Sequence, residues 1–273
     1  MEKGKMASTC KVSWSNIIGI VVLLGSLLAC NAPHGDKKST LNENSESGNT
    51  EPEMSEHVID TGGLLTKIID LNRSRIGRTE QIMLVTNRAI SMKDVTIQLF
   101  EKKNDQWGRV FPGFHGSIGH NGFSPYQKKR EGDKTSPTGI YDLGLVFGYA
   151  GKVDTKMEYR QATRHDFWID DPASDDYNKW VTREKPPAVS HEKMKLDNDL
   201  YKLGIVVEYN TEPVVKGHGS AIFVHIEHSP GSPTAGCVAL PETDLERIVR
   251  WLDPDKHPLI IMGTEEELET VAL

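Results

Sequence analysis

The sequence predicts a mainly β domain, a sandwich or open barrel with a few short helices. Short runs rich in β-branched and aromatic residues recur in it, and clusters of glycine, proline and asparagine separate them. The predicted strands cover residues 81–86, 95–100, 140–147, 204–209, 221–226 and 259–262. The segment 150–200 is rich in aspartate, lysine and aromatic residues, and its pattern supports no assignment.

Two helices are predicted among these strands. One is marked by four apolar residues at i, i+3, i+4 and i+7, namely Leu245, Ile248, Val249 and Leu252. Glu242 is acidic, as is favourable in the first turn of a helix, and the helix is expected to end before Pro254. The other predicted helix covers residues 58–71, where apolar residues recur at mixed spacing.

Residues 1–29 have the pattern of a bacterial signal peptide. A start with three lysines precedes an apolar run over 17–29, which is short for a membrane span of about 20 residues. The run ends in Leu-Leu-Ala-Cys30, which resembles a lipobox. We therefore expect lipidation at Cys30, export to the periplasmic side of the cell envelope and membrane attachment through the lipid. An ordinary signal peptide and an uncleaved anchor are the alternatives.

Residues 30–57 are predicted to be a flexible tether, and residues 58–273 a single domain. The tether is polar and cannot bury enough apolar area to offset its ordering entropy. The remaining length suffices for one core, and a monomer is expected. The net charge of −7 argues against nucleic acid as a partner.

Cys237 is the candidate nucleophile, and His225 is the candidate base. Cys10 would leave with the signal peptide and Cys30 would carry lipid, so Cys237 would be the one free thiol. His225 lies 12 residues earlier on an apolar strand, and a Pro/Gly turn would bring the two side by side. A histidine partner or a helix start would lower the thiol pKa from its usual value near 8.5.

The residues before the cysteine favour a role in binding an oxyanion. Gly236 permits backbone angles closed to other residues, and the N–H groups of the turn Thr234-Ala235-Gly236 would point at a developing negative charge.

Two other interpretations use the same residues. Cys237 would be a buried structural cysteine, since free cysteines are often buried. Alternatively, imidazole and thiolate groups would bind zinc, although no zinc signature is present. The candidate zinc ligands are His218, His225, His228 and Cys237.

Three segments together resemble the L,D-transpeptidase catalytic domain of bacteria, the YkuD type. That family carries a histidine on one strand and then a Ser/Thr-x-Gly-Cys turn, as do His225 and the residues 234–237. The segment Gly132-Asp-Lys-Thr-Ser-Pro-Thr-Gly139 resembles the family's Gly-Asp-x-x-Thr-Pro-x-Gly motif, and residues 168–178 resemble a divergent branch. The resemblance covers roughly residues 80–263.

The resemblance implies a β-rich, cofactor-free and metal-free enzyme that acts on the stem peptides of peptidoglycan. Cys237 would attack the carbonyl of the third stem residue, usually meso-diaminopimelate, and expel D-alanine, while His225 takes the thiol proton. An amine acceptor then gives a 3-3 cross-link, whereas water makes the protein an L,D-carboxypeptidase. The residues expected to contact the substrate are His218, Gly219, Tyr209, Thr135 and Pro137.

A peptidoglycan-binding lipoprotein without turnover is the alternative from another class. A depressed pKa of the Cys237 thiol favours the enzyme, and an ordinary or inaccessible thiol favours the binder.

Three positions depart from the family pattern. Ile226 follows the histidine where Gly or Ser is common, Ala235 stands where many members have His, and Ala239 replaces Arg or Asn. These departures concern the third catalytic element and the contacts to the donor peptide. The residues considered for the missing contact are Arg160, Arg164, Lys216 and His218. The basic run 128–130 is expected to be an exposed turn.

Overall fold

The computed structural model of the chain describes residues 58–59 and 63–273. The predicted signal peptide, the lipidation of Cys30 and the tether lie outside the described residues. The strands are β1 (Val58–Ile59), β2 (Gln81–Asn87), β3 (Asp94–Lys103), β4 (Gln106–Arg109), β5 (Phe114–Ser117), β6 (Phe123–Ser124), β7 (Ser136–Pro137), β8 (Gly139–Gly148), β9 (Tyr159–Gln161), β10 (Asp166–Ile169), β11 (Trp180–Thr182), β12 (His191–Lys193), β13 (Leu203–Val207), β14 (Phe223–Ile226), β15 (Val238–Leu240) and β16 (Leu259–Thr264). The helices are α1 (Leu64–Leu71), α2 (Arg73–Ile76), α3 (Glu242–Trp251) and α4 (Glu265–Thr270), with a 3-10 turn at Pro254–Lys256.

The main sheet closes into a barrel of eight strands. Its order is β3-β2-β16-β8-β13-β14-β15-β5, and β5 pairs again with β3 through Asp94↔Ser117 to Ile97↔Phe114. Strands β1 and β4 extend the sheet from β3, and β9 pairs with β8. The prediction of a mainly β domain with few helices is confirmed. The closure of the barrel depends on the β3–β5 register, which the local pattern does not specify.

The side chains of β14 and β15 point alternately to the apolar core and to the candidate site. Side chains of a strand point alternately to its two faces. Val224 and Ile226 of β14, with Val238 and Leu240 of β15, belong to the main apolar core, which α3 completes with three buried side chains. The residues between them, among them His225, therefore point to the outer face of the barrel.

A second apolar cluster covers that outer face. It contains Phe147, Trp168, Tyr201, Phe223 and the Cys237 side chain. Trp168 comes from a three-stranded sheet of order β11-β10-β12, formed within the segment that the sequence left unassigned. Its ring meets Phe223 edge to face at a centroid distance of 5.0 Å. Through Trp168, this small sheet covers part of the face that bears Cys237.

The helix predictions are confirmed in part. Helix α3 begins and ends close to the predicted residues, and Leu245, Ile248 and Val249 are buried as expected. The first helix begins at Leu64 rather than at residue 58, because Val58 and Ile59 pair with β4 as a short strand. No helix in the described part of the chain is both long and apolar enough for a membrane span.

Candidate active site

Cys237 and His225 lie on the same face of two neighbouring strands. Strands β14 and β15 are parallel, with Val224 opposite Val238 and His225 opposite Ala239. Cys237 directly precedes β15, and its side chain lies in the outer cluster, so it shares a face with His225. The sequence predicted that Cys237 and His225 lie side by side, but it predicted a Pro/Gly turn between their strands. In the structure the two strands are parallel, and the segment that connects them includes a bridge between Gly119 and Thr234.

Both side chains line a cleft of about 470 Å³. We call it the thiol cleft, and its other lining residues include Tyr201, Glu192, Asp170 and Lys129. The cleft is large enough for part of a peptide chain.

The Cys237 thiol is buried and held by backbone groups. The sulfur accepts a hydrogen bond from the Phe223 N–H (3.4 Å) and donates one to the Ala221 carbonyl (3.3 Å). Burial raises the pKa of the Cys237 thiol to about 12, the negative charge of Glu192 adds to the rise, and the Phe223 N–H and the positive charge of Lys129 oppose it. The expectation of a lowered thiol pKa is therefore wrong, because burial outweighs the favourable contacts.

The imidazole of His225 is held as a neutral base. Its Nδ1 atom lies 2.8 Å from the carbonyl oxygen of Ile226. A carbonyl can only accept, so Nδ1 carries the proton and Nε2 has the lone pair. Burial lowers the pKa of His225, and its ring packs edge to face on Tyr201 at 5.4 Å. The group that orients the imidazole is a main-chain carbonyl, which any residue at position 226 provides.

Hydrogen bonds from two hydroxyl groups fix the turn before Cys237. Thr234 Oγ1 accepts from the Gly236 N–H (3.0 Å) and donates to the Cys237 carbonyl (2.7 Å). Ser136 Oγ donates to the Gly236 carbonyl (2.6 Å). Because the Gly236 N–H is engaged in the turn, the prediction of oxyanion donors narrows to the N–H groups of Ala235 and Cys237.

Gly236 is required by both its conformation and its surroundings. Its φ is +150°, which L residues rarely adopt. A Cβ atom there would lie 2.9 Å from the Thr135 carbonyl oxygen. Thr135 was predicted to contact substrate, and the structure instead places its main chain against Gly236 and its hydroxyl on Asp133 (2.8 Å).

Lys129 is the functional candidate that sequence reasoning missed. The expectation of an exposed basic turn holds for its neighbours, Lys128 and Arg130. The Lys129 side chain is only 5% exposed, and its ammonium forms an ion pair with Asp133 at 2.8 Å. Asp133 belongs to the Gly132–Gly139 motif quoted above. A lysine four residues before this aspartate is the sequence signal from which the ion pair could have been predicted.

Two carboxyl groups line another part of the thiol cleft. Asp170 follows β10, and Glu192 lies on the neighbouring strand β12. Burial, and then the nearby charge of Asp170, raise the pKa of Glu192. Asp170 Oδ1 is buried without a hydrogen-bond partner. The cleft therefore contains a buried ammonium group and two neighbouring acids, and Lys134 and Glu131 also line it.

The other predicted substrate contacts lie outside the thiol cleft. Tyr209, His218 and Pro137 line a neighbouring cavity of about 360 Å³, which we call the tyrosine cavity because Tyr126, Tyr141 and Tyr209 form part of its wall. Lys129 lines both spaces. Gly219 lies against the Lys129 stem, with 2.9 Å between the position of a Cβ there and Lys129 Cε.

None of the three cationic residues considered for the missing peptide contact lines the thiol cleft, namely Arg160, Arg164 and Lys216. Arg160 pairs instead with Asp166 at 3.3 Å and lies over the Trp180 ring at 4.3 Å. Lys216 faces Asp175 at 3.5 Å.

The zinc interpretation finds no support. Within residues 58–59 and 63–273, no group of three or more His, Cys, Asp or Glu side chains is arranged to hold a metal ion. His218 lines the tyrosine cavity, His225 is buried and His228 is exposed at the rim of the thiol cleft.

Comparisons with known proteins give one family. The L,D-transpeptidase catalytic domain profile, YkuD, matches residues 92–262. No curated protein matches the chain. Two crystal structures of the helical cell shape determining protein Pgp2 from Campylobacter jejuni, one of them a point mutant, are similar at 16% and 17% identity, with TM-scores of 0.37 and 0.35. The matches cover 77% and 78% of this chain but only 60% and 61% of those chains. Because the profile covers more than half of the 273 residues, including Cys237 and His225, the protein belongs to the L,D-transpeptidase catalytic domain family.

Proposed function

We propose that the protein is an L,D-transpeptidase that forms 3-3 cross-links through a cysteine acyl-enzyme on the stem tetrapeptide. The family acts on peptidoglycan stem peptides. The observation that carries the proposal is the shared face of Cys237 and His225 at one cleft, with the His225 tautomer fixed by the Ile226 carbonyl. A nucleophile, a base and a group that orients the base are the parts that acyl transfer needs.

The reaction begins from a neutral pair. As Cys237 Sγ attacks the carbonyl carbon of the third stem residue, the thiol proton passes to Nε2 of His225. For this transfer the thiol hydrogen has to leave the Ala221 carbonyl, which binds it in the resting site. The N–H groups of Ala235 and Cys237 stabilise the oxyanion, an effect worth about 3–4 kcal/mol for a donor of this kind.

The second half of the reaction restores the thiol. The tetrahedral intermediate collapses, the C–N bond to D-alanine breaks, and the leaving amine takes the proton from His225. An acceptor amine then attacks the thioester, His225 removes a proton from it, and Cys237 leaves and is reprotonated. If water replaces the amine, the same steps make the protein an L,D-carboxypeptidase.

A non-catalytic peptidoglycan-binding protein is the second candidate. The observation in its favour is the burial of Cys237, whose pKa is raised to about 12. A thiol that stays buried when peptide is bound would not react.

Mass spectrometry with a disaccharide-tetrapeptide distinguishes these functions. The full chain and its Cys237→Ala variant are incubated with the muropeptide, and the masses of the protein and of the products are measured. Loss of D-alanine with a cross-linked dimer, from the unmodified protein only, supports the transpeptidase. Loss without a dimer means a carboxypeptidase. Binding without an acyl-enzyme or products contradicts the enzyme and supports the binder.

The proposed location is the periplasmic side of the cell envelope, with an acylated Cys30 as the anchor. The basis is the lipobox-like end of the apolar run. The expected result is a lipid-modified N-terminus in the unmodified protein and release of a Cys30→Ser variant from membranes. A membrane-bound Cys30→Ser variant without lipid would contradict this anchor.

A further inference from the structure

We infer that Lys129 binds the free C-terminal carboxylate of the peptide that Cys237 attacks, so that the protein selects peptides cut at their last residue. The inference deepens the proposed function, on which it rests, by naming the substrate group that this site recognises. It begins from the position, burial and unused hydrogen-bond donors of one ammonium group.

The Lys129 ammonium has binding capacity that the protein does not use. A lysine ammonium has three N–H donors. Within the described residues, its one acceptor is Asp133 Oδ1 at 2.8 Å. That oxygen also accepts from the Thr135 N–H and hydroxyl, while Asp133 Oδ2 accepts from the Arg130 N–H. Asp133 therefore shares its charge among four donors. Among the residues that the structure describes, two N–H bonds of the Lys129 ammonium have no acceptor, although the side chain is only 5% exposed.

Two glycines leave the space in which the Lys129 side chain lies beside the residues that precede Cys237. Lys129 Nζ lies 3.5 Å from the position of a Cβ on Gly236, the residue before Cys237. On the other side, a Cβ on Gly219 would lie 2.9 Å from Lys129 Cε. Both glycines have positive φ, +150° and +98°. Side chains at these positions would fill the space that the lysine stem uses.

The covalent geometry of a peptide fits this position. From the attacked carbonyl carbon to the carboxylate carbon of a single following residue, the chain spans less than about 4 Å. A cation that contacts this carboxylate must therefore lie within a few ångströms of the reacting carbon. A longer peptide has no charge at this place, and it would present a neutral amide to the buried ammonium.

The acidic groups of the thiol cleft direct an anion to its cationic side, where Lys129 is the buried ammonium and Lys134 is exposed. Asp170 and Glu192 are acids, and Glu131 accepts hydrogen bonds from Tyr177 and Ser220 (2.7 Å to Ser220). A carboxylate is repelled by these groups and attracted by the ammonium. Charge-assisted hydrogen bonds of this kind are stronger than neutral ones, particularly where water is excluded.

The test compares two tetrapeptides that differ in one group. One ends in D-alanine with a free carboxylate, and the other ends in D-alanine carboxamide. For the unmodified full chain we expect kcat/KM for acylation to be roughly 10- to 100-fold higher with the acid. The Lys129→Met variant should lose this preference, while its rate with the amide changes by less than about threefold.

Two variants serve as controls. Lys129→Arg keeps the charge and should keep most of the preference. Lys128→Met removes an exposed lysine that lies next to Lys129 in the chain but does not line the thiol cleft, and it should leave both rates unchanged. Thermal unfolding of each variant shows whether it folds. Equal rates of the unmodified protein with acid and amide overturn the inference, as does an equal loss on both peptides in a folded Lys129→Met variant.

A binding measurement separates failure of the inference from failure of the proposed function. Calorimetry with the Cys237→Ala variant gives the affinities for the acid and amide without any turnover. A similar preference for the acid supports the role of Lys129 even if no acyl-enzyme ever forms. Equal affinities together with equal acylation rates leave the enzyme standing and reject the carboxylate contact.

Discussion

Asn178 Oδ1 accepts a hydrogen bond from the N–H of Ala221 at 3.1 Å, and the Ala221 carbonyl binds the Cys237 thiol at 3.3 Å. Ala221 has φ +53°, a left-handed conformation that costs a residue with a Cβ about 1 kcal/mol. The amide of Asn178 stabilises this conformation. The position of the Cys237 thiol therefore depends on a buried side chain that lies outside the cleft wall.

Replacing Asn178 with alanine should lower the free energy of unfolding by about 3 kcal/mol. Its amide also binds Trp168 Nε1 (2.8 Å) and the carbonyls of Tyr209 (3.0 Å) and Asn210 (2.7 Å), so the substitution removes four hydrogen bonds of a buried side chain. Urea unfolding measures the change.

The matched control for this change is Asn198→Ala. Asn198 is exposed, and its side chain makes one hydrogen bond, to the Leu200 N–H. We expect a cost below about 1 kcal/mol. If Asn178→Ala and Asn198→Ala cost the same, the buried amide does not stabilise the Ala221 segment as described.

Gly236→Ala should abolish acyl-enzyme formation and destabilise the fold by about 2 kcal/mol. The new Cβ would lie 2.9 Å from the Thr135 carbonyl oxygen, at a φ of +150°. The turn therefore has to shift, and Cys237 shifts with it. Gly151→Ala is the control, because a Cβ there meets no atom within 4 Å. An active, equally stable Gly236→Ala variant would show that the turn tolerates a side chain.

Local patterns predicted six of the strands and the proximity of Cys237 and His225, because alternation and motif order depend on neighbouring positions. They could not predict the burial of Lys129, which results from contacts with Gly219 and Gly236 far along the chain. The pKa of Cys237 was predicted in the wrong direction for the same reason, since the covering side chains come from separate parts of the chain, and Trp168 among them from the unassigned segment. The strands of that segment have three or four residues each, too few for a periodic pattern.

Glu192→Gln should increase the rate of Cys237 alkylation by iodoacetamide at pH 8 by about threefold. The negative charge of Glu192 contributes to the raised pKa of the Cys237 thiol, after burial. Without that charge the thiol pKa falls, and a larger fraction is thiolate at a given pH. Glu184→Gln, at an exposed position, should leave the rate unchanged. A slower reaction of the Glu192→Gln variant would contradict the assigned sign.

The acylation rate should rise with pH through a pKa below 6.5, the ordinary value for histidine, and then stay constant to above pH 9. Burial lowers the pKa of His225, and only neutral imidazole accepts the thiol proton. The plateau extends far because the pKa of Cys237 is raised to about 12, so the thiol stays protonated. As the pH falls, His225 is protonated in the unfolded chain at a higher pH than in the folded protein. The contribution of the neutral imidazole to the free energy of unfolding is therefore complete above pH 6.5, and it declines as the pH falls towards the folded pKa of His225. Acylation assays across this pH range measure the profile. His115→Gln, at an exposed position outside the thiol cleft, should not change it. A midpoint above pH 6.5, or a fall in rate near pH 8.5, would indicate a thiolate–imidazolium pair in place of the neutral one.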